Sequence, residues 1–280
     1  MTTILDGKSL SASIGKELKV QIKQFESVPH LAIIQVGDNS ESNTYIKYKK
    51  SFGEKIGAKV THLKFKEDIT TEKLIKEIED INTNKTIHGI IIQLPLPTHL
   101  DRNKIIDTIN HNKDVDGLTS QNMTSLLRGE AKITPATTRG IMTLLKYYKI
   151  NIKGKHVVVV GRSNLVGKPT ALTMLNAGAT VTVCHRETLD LKQETTKADI
   201  LIVAVGKPKF ITRNYVSPNQ IIIDVGVSTI DTREKGISGD VDFDTVKDLV
   251  GAITPVPGGV GPMTVASLFQ NLLDTYKNQI

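Results

Sequence analysis

A chain of 280 residues with 39% apolar side chains can fill the cores of two ordinary domains, which excludes a disordered or fibrous protein. Its formal net charge of +7 raises the question of nucleic acid, yet the lysines are scattered and aromatic residues make up only 4%, a pattern that reads as solvated surface with no nucleic-acid partner. No apolar run approaches a membrane span, the N-terminus lacks the build of a signal peptide, and the single Cys184 excludes an internal disulfide and a multi-cysteine metal site, so a cytoplasmic α/β protein is expected.

In chain order, Ser9 to Phe25 predicts an amphipathic helix and Leu31 to Val36 a strand closed by Gly37-Asp38-Asn39. A second helix is expected from Glu41 to Ile56, where Tyr45, Tyr48, Lys49, Phe52 and Ile56 recur at spacings of three and four and so share a face. Lys49 is then either a partly desolvated amine with a lowered pKa or a lysine snorkelling from the stripe's edge. Lys59 to Lys66 predicts a strand, Thr71 to Ile81 a helix, and His88 to Leu94 a strand broken at Pro95-Leu-Pro97; this alternation makes an α/β first domain. Gln93 stands at the carboxyl end of the last strand, either facing a ligand or satisfied at the strand edge. After a helix from Leu100 to Ile109, the turn Asn112-Lys-Asp-Val-Asp-Gly117 offers two carboxylates but no third ligand, so no metal is expected. One of those carboxylates can instead accept paired hydrogen bonds from an amino-heterocycle.

A helix from Ile141 to Tyr148 is expected to link this domain to a second one. Val157 to Val160, an unbroken β-branched run, predicts a strand buried on both faces, ending in Gly161-Arg-Ser-Asn-Leu-Val-Gly167 and a helix opened by Pro169. Strand, glycine turn and helix start are the parts of a phosphate-binding site, although an ordinary strand-to-helix turn has them too. The next strand, Thr180 to Cys184, ends at His185-Arg186, where an NAD site wants an acid; Arg186 and Arg162 argue for the 2′-phosphate of NADP. Cys184 itself reads as packing. Strands at Ala198 to Val205 and Ile221 to Asp224 run into Gly206 and Gly226, completing a nucleotide-binding sheet. Thr254 to Thr264 reads as a rigid turn with exposed N–H groups, and a helical stripe from Val265 to Tyr276 is expected to cross back onto the first domain, leaving the turn over the cleft.

Tyr45-x-x-x-Lys49, Gln93-Leu-Pro-Leu-Pro97, Lys113-Asp-Val-Asp-Gly117, Gly161-Arg-Ser-x-x-Val-Gly-x-Pro169 and Pro257-Gly-Gly-Val-Gly-Pro-Met-Thr264 stand in one order along the chain. With them the chain resembles, over essentially its whole length, the bifunctional methylenetetrahydrofolate dehydrogenase/methenyltetrahydrofolate cyclohydrolase family, called FolD in bacteria. The resemblance implies a catalytic α/β domain over 1–140, completed by a helix over 264–280, and a Rossmann-like NADP-binding domain over 141–263, with the active site in the cleft between them. It implies oxidation of 5,10-methylenetetrahydrofolate with NADP, hydrolysis of the product to 10-formyltetrahydrofolate, a homodimer, and a place in one-carbon metabolism and purine biosynthesis.

By position, Lys49 would be the catalytic amine, Gln93 would orient it, Tyr45 would stack on the folate and Asp116 would hold the pterin edge. Tyr48, Ile92, Leu94 and the loop Pro257, Gly258, Gly259, Val260, Gly261, Pro262, Met263 and Thr264 would line the folate side. Gly161, Arg162, Ser163, Val166, Gly167, Arg186 and Val227 would contact NADP. The chain departs from the family's pattern at Ala136, Thr138 and Leu118 to Ser120, which bears on the shape of the cleft. Other readings are an NADP-binding protein of the same fold with only one of the activities, an NADP sensor, and a short-chain dehydrogenase. The last shares Tyr-x-x-x-Lys, but there the motif follows the glycine turn, whereas here it precedes it.

Overall fold

The computed structural model describes residues 2–230 and 236–280. In chain order its elements begin with β1 (Thr3–Ile4), α1 (Gly7–Ile22), β2 (His30–Val36), α2 (Ser40–Ile56), β3 (Lys59–Phe65), α3 (Thr71–Thr83), β4 (Gly89–Ile92), α4 (Arg102–Thr108), α5 (Ser120–Leu127) and α6 (Ala136–Tyr147). They continue with β5 (His156–Val160), α7 (Gly167–Asn176), β6 (Thr180–Cys184), α8 (Leu191–Thr196), β7 (Ile200–Val203), β8 (Ile221–Asp224), β9 (Ser228–Ile230), β10 (Gly236–Ser238), α9 (Phe243–Val246), β11 (Ala252–Ile253) and α10 (Val260–Lys277).

Two compact units result, one of residues 12–136 with 265–280, the other of residues 1–11 with 137–264. Residues 1–11, grouped with the catalytic domain on sequence, lie in the second unit because β1 pairs in parallel with β11, Thr3 opposite Ala252. Two-residue strands carry no periodicity, so only the pairing reveals them.

The first unit is built on a three-stranded parallel sheet in the order β3-β2-β4. β2 and β4 are buried along their whole length, as a parallel sheet covered on both faces requires. Ile34, Ile90 and Ile92 pack with Leu74 and Ile78 of α3 and Ile105 of α4. On α10, Phe269 stacks against Phe52 of α2 with ring centres 5.3 Å apart, while the Asn271 amide donates to the carbonyls of Val115 and Thr134 at 2.8 and 2.9 Å.

His30 and His88 are buried in this unit, and burial pushes both imidazoles below their usual pKa, His88 also under the charges of His30 and Lys113. His30 Nδ1 faces the Thr86 carbonyl, so it carries the proton, and Nε2 accepts from the Thr61 hydroxyl; His88 Nδ1 accepts from the His30 N–H. The unfolded chain therefore binds more protons as pH falls through the ordinary histidine range toward the lowered values, and stability present above pH about 6.5 is lost there. The two histidines' share, read as the difference in unfolding free energy from urea titrations between the wild type and a variant with both replaced by glutamine, should fall from pH 7.5 to pH 5 by at most about 1.4 kcal/mol per pH unit for each histidine.

The second unit carries a six-stranded sheet, order β1-β11-β8-β7-β5-β6, in which every pairing is parallel. From β5 the chain moves out to β6 and returns on the other side of β5 as β7. That reversal makes the carboxyl ends of β5 and β7 the place where an open sheet of this kind binds a ligand. Val158, Val160, Leu201, Val203 and Ile222 form its core, with Cys184 buried among them as a free thiol.

Candidate active site

α2 begins with Asn39, whose side chain accepts from the Ser42 N–H, and ends at Gly57 in the left-handed conformation. Its buried face is Ser42, Ile46, Gly53 and Ile56, and Lys49 sits at the centre of that face. The predicted aromatic stripe needs correction: Tyr45 is 37% and Tyr48 59% exposed, so both rings present free surface. How much of each ring is covered is a distinction that spacing of three and four does not resolve.

Gln93 follows directly on β4, its N–H donating to the Ile34 carbonyl at 2.7 Å. Its Nε2 donates to the Leu94 carbonyl at 2.8 Å, and Oε1 accepts from Lys49 Nζ at 2.9 Å. Because a carbonyl oxygen only accepts, the amide can face just one way, and Lys49 is aimed by it. Ile92 is buried beneath and Leu94 half-buried beside it.

In the turn after α4, Asp114 is consumed by the loop itself, its carboxylate accepting from the Gly117 and Thr119 N–H groups and the Asn122 amide at 2.8 to 2.9 Å. Lys113 is likewise structural, donating to the carbonyls of Asn82 and Asn84 at 2.8 Å. Asp116 is the carboxylate that faces Lys49. Half-buried by area, both groups sit deep enough for desolvation to dominate: burial lowers the Lys49 pKa, partly opposed by the Asp116 charge. Burial pushes Asp116 up to about 6 against the Lys49 charge, with Asp114 adding to the rise. Burial, with Glu41 and Tyr48, also raises Tyr45, which stays a phenol.

The second unit supplies the glycine turn. Gly161 has φ +123°, and a Cβ there would collide with the Ala204 carbonyl oxygen at the end of β7; a Cβ on Gly167 would strike the Gly161 carbonyl. Only glycine lets these backbones close into a tight cradle at the start of α7. The Ser163 hydroxyl accepts from the N–H groups of Val166 and Gly167 at 3.1 and 3.3 Å, shaping the turn. Arg162 and Arg186 are exposed beside it, and Val227, at 41% exposure, follows β8. These features fit a dinucleotide's phosphates and 2′-substituent.

The loop 257–264 departs from its expected form. α10 starts at Val260, not after Thr264, and Val260 and Met263 are buried, so part of the predicted open turn is helix packed into the unit. The loop is tied down by the Lys8 N–H donating to the Gly258 carbonyl at 2.8 Å, and Gly7 has no Cβ because the Gly259 carbonyl oxygen stands there. Gly258, at φ +111°, and Gly261, which has open space around it, remain the parts of the loop that backbone chemistry can use. The departures from the family's pattern are structural: Ala136 and Thr138 are buried, Thr138 beside the Thr170 hydroxyl at 3.2 Å, Thr119 caps α5, and Ser120 bonds Asp107.

Three residues escaped sequence reasoning. Asp240 collects the N–H groups of Val205, Gly206 and Lys207 at 2.6, 3.0 and 2.7 Å, fixing the loop after β7. Asp224 collects those of Gly226, Asp240 and Val241, and burial raises it to about 7 despite these donors. An aspartate closing a run of three isoleucines is the signal that could have exposed it. The third, Glu187, lies between the two arginines. A cavity of about 620 Å³ is lined by Asn82, Asp107, His111, Thr119, Ser120 and Gln121, with none of Lys49, Gln93 and Asp116 in its wall. Among the described residues there is no group of three or more His, Cys, Asp or Glu able to hold a metal, and no helix long and apolar enough to cross a membrane.

Residues 5–116 match the family model for the tetrahydrofolate dehydrogenase/cyclohydrolase catalytic domain and residues 135–280 the model for its NAD(P)-binding domain. The chain is 47% identical to the bifunctional protein FolD of Francisella philomiragia, covering 96% of each chain. Among solved structures, FolD from Campylobacter jejuni superposes with a TM-score of 0.97 at 43% identity over 100% of both chains. The Trypanosoma brucei enzyme, complexed with NADP cofactor and inhibitor, does so at 0.95 and 33% identity, covering 99% of this chain and 98% of its own.

Proposed function

The chain belongs to the tetrahydrofolate dehydrogenase/cyclohydrolase family, and from that membership we propose how its residues oxidise 5,10-methylenetetrahydrofolate with NADP and hydrolyse the resulting methenyl cation to 10-formyltetrahydrofolate. The observation that carries the assignment is the Lys49–Gln93 hydrogen bond beside Asp116, an aimed amine and a carboxylate both biased by burial toward their neutral forms. NADP, when bound, supplies the hydride acceptor. Loss of hydride spreads positive charge over two nitrogens of the folate, so this step asks the protein for position and not for an acid or base.

Hydrolysis needs a base. A water oxygen attacks the methenyl carbon, the C=N π electrons pass to nitrogen and the water gives up a proton to Lys49 Nζ, whose lone pair is available because desolvation lowers its pKa. Collapse of the resulting carbinol to the formyl carbonyl then breaks the C–N5 bond, and N5 takes the hydroxyl proton. A neutral amine also avoids placing a second cation against the substrate. Gln93 holds that nitrogen through Oε1. Asp116 accepts two N–H bonds from the pterin edge, and the exposed rings of Tyr45 and Tyr48 offer faces on which the folate's aromatic portion stacks. In the second unit the Gly161 to Gly167 turn takes the phosphates, and Arg162 and Arg186 take the 2′-phosphate.

The role of Asp116 makes a pH prediction. With its pKa raised to about 6, the carboxylate is present above that pH and lost below it, so kcat/KM for hydrolysis should fall on the acid side of about pH 6. Asp116→Asn should lower kcat/KM about a hundredfold at pH 7.5, the worth of two charged hydrogen bonds, and remove the added steepness below about pH 6, leaving the fall set by protonation of the Lys49 amine. Persistence of that added steepness in the variant would assign it elsewhere.

The reading extends to a homodimer in the cytoplasm whose product serves purine biosynthesis. Family membership supports it, as does the position of β6 at the edge of the six-stranded sheet, with Val183 exposed. Sedimentation at micromolar concentration tests the dimer, and the two-step assay, following NADPH and then decay of the methenyl chromophore, tests both activities.

A further inference from the structure

Dinucleotide folds read the ribose 2′-position at the end of the strand that follows the glycine turn: an acid there accepts from the 2′-hydroxyl of NAD, and an arginine there pairs with the 2′-phosphate of NADP. This chain puts both kinds of group at that place. After β6, the turn His185-Arg186-Glu187-Thr188 is closed by the Thr188 N–H to the His185 carbonyl and the His185 N–H to the Thr188 hydroxyl, both at 2.9 Å. From this turn Glu187 Oε1 accepts from Arg186 Nε at 2.7 Å while Oε2 accepts from Arg162 at 2.9 Å, and the His185 ring nitrogen stands 2.9 Å from the same oxygen. The hydrogen bond from Arg186, with the charges of Arg162 and His185, holds the Glu187 carboxyl below its usual range, so it is an anion wherever the enzyme works.

The two guanidiniums expected to grip the cofactor are thus already bridged by a carboxylate. Arg162, Arg186 and Glu187 are all substantially exposed, so the bridge is weak and a ligand can displace it. A phosphate with its near-double charge must nevertheless share the fork with Glu187 or push it aside, whereas a 2′-hydroxyl needs an acceptor and finds one. We propose that Glu187 is a specificity-determining residue: it occupies the fork between Arg162 and Arg186, moderates the preference for NADP, and admits NAD by accepting from its ribose 2′-hydroxyl. This rests on the reading that NADP binds at the Gly161 turn.

Calorimetric titration of the full-length protein with NADP and with NAD, alongside kcat/KM for each, tests it in the wild type, Glu187→Gln, Glu187→Ala and Arg186→Ala. Both Glu187 variants should bind NADP about tenfold more tightly, the worth of a charged hydrogen bond released to the ligand, while NAD binding is unmoved or weakened, so the Kd ratio moves at least tenfold toward NADP. A ratio that stays put or moves toward NAD in the Glu187 variants, with Arg186→Ala still weakening NADP selectively, overturns the role of Glu187 alone. If Arg186→Ala affects the two cofactors equally, the 2′-position lies elsewhere, and the underlying reading falls together with the proposal.

Discussion

Lys49→Ala should reduce hydrolysis of methenyltetrahydrofolate by roughly 10²- to 10⁴-fold, the usual worth of a positioned general base. The amine is hydrogen-bonded by Gln93, lies within reach of the Asp116 charge, and is shifted by burial toward the form that can accept a proton. Affinity for NADP should be unchanged, because the residues assigned to it belong to the other unit. Lys49→Arg separates chemistry from charge. A guanidinium keeps the cation and much of the length but cannot be deprotonated in the working range, so it should hydrolyse no better than alanine. Rescue by arginine would show that Lys49 acts as a charge and not as a base. In the wild type, kcat for hydrolysis should rise with pH and level off below the ordinary lysine pKa, since the free amine is the active form.

The second large effect is on stability. Asp240→Ala should cost about 3 kcal/mol, because it strips the acceptor from the Val205, Gly206 and Lys207 N–H groups at a fully buried position. No neighbour can fill the gap easily: Gly226 lacks a Cβ just where the Asp240 carboxylate stands, and the Asp224 oxygens already accept from three other N–H groups. Asp240→Asn keeps the shape but leaves one carbonyl oxygen for three donors, so it should fall between wild type and alanine. Urea midpoints and NADP affinity measured together check this. A midpoint change worth less than about 0.5 kcal/mol would mean that solvent replaces the carboxylate and that the loop does not depend on it.

Much of the fold was legible because long apolar runs leave few choices. The four valines of β5 and the isoleucines of β2, β4 and β8 fit strands buried on both faces, and structure placed strands at each. Short pairings were not legible. β1 and β11 are two residues long, and their partnership joins positions some 250 residues apart, so no local pattern announces them. The start of α10 was misplaced for a related reason: Gly259, Gly261 and Pro262 read as a loop by propensity, but Val260 and Met263 are buried and the helix begins among them. In α5 the Thr119 cap could have been read, though no long apolar stripe accompanied it.

The same division runs through the site. The sequence by itself determined the residue types and their order: a lysine on a helix face, an amide at a strand end, two aspartates in a turn, glycines between strand and helix, and arginines at the strand ends. Only tertiary structure decided their work. It separated Asp116, which faces the amine, from Asp114, which is consumed by its own loop, and it turned Tyr45 and Tyr48 outward while Lys49 went in. It also brought Asp240 to the loop after β7 and Glu187 between two arginines. The physical reason is that periodicity and propensity act over a few residues, whereas desolvation and the satisfaction of buried N–H groups are set by whichever chain segments arrive from far away.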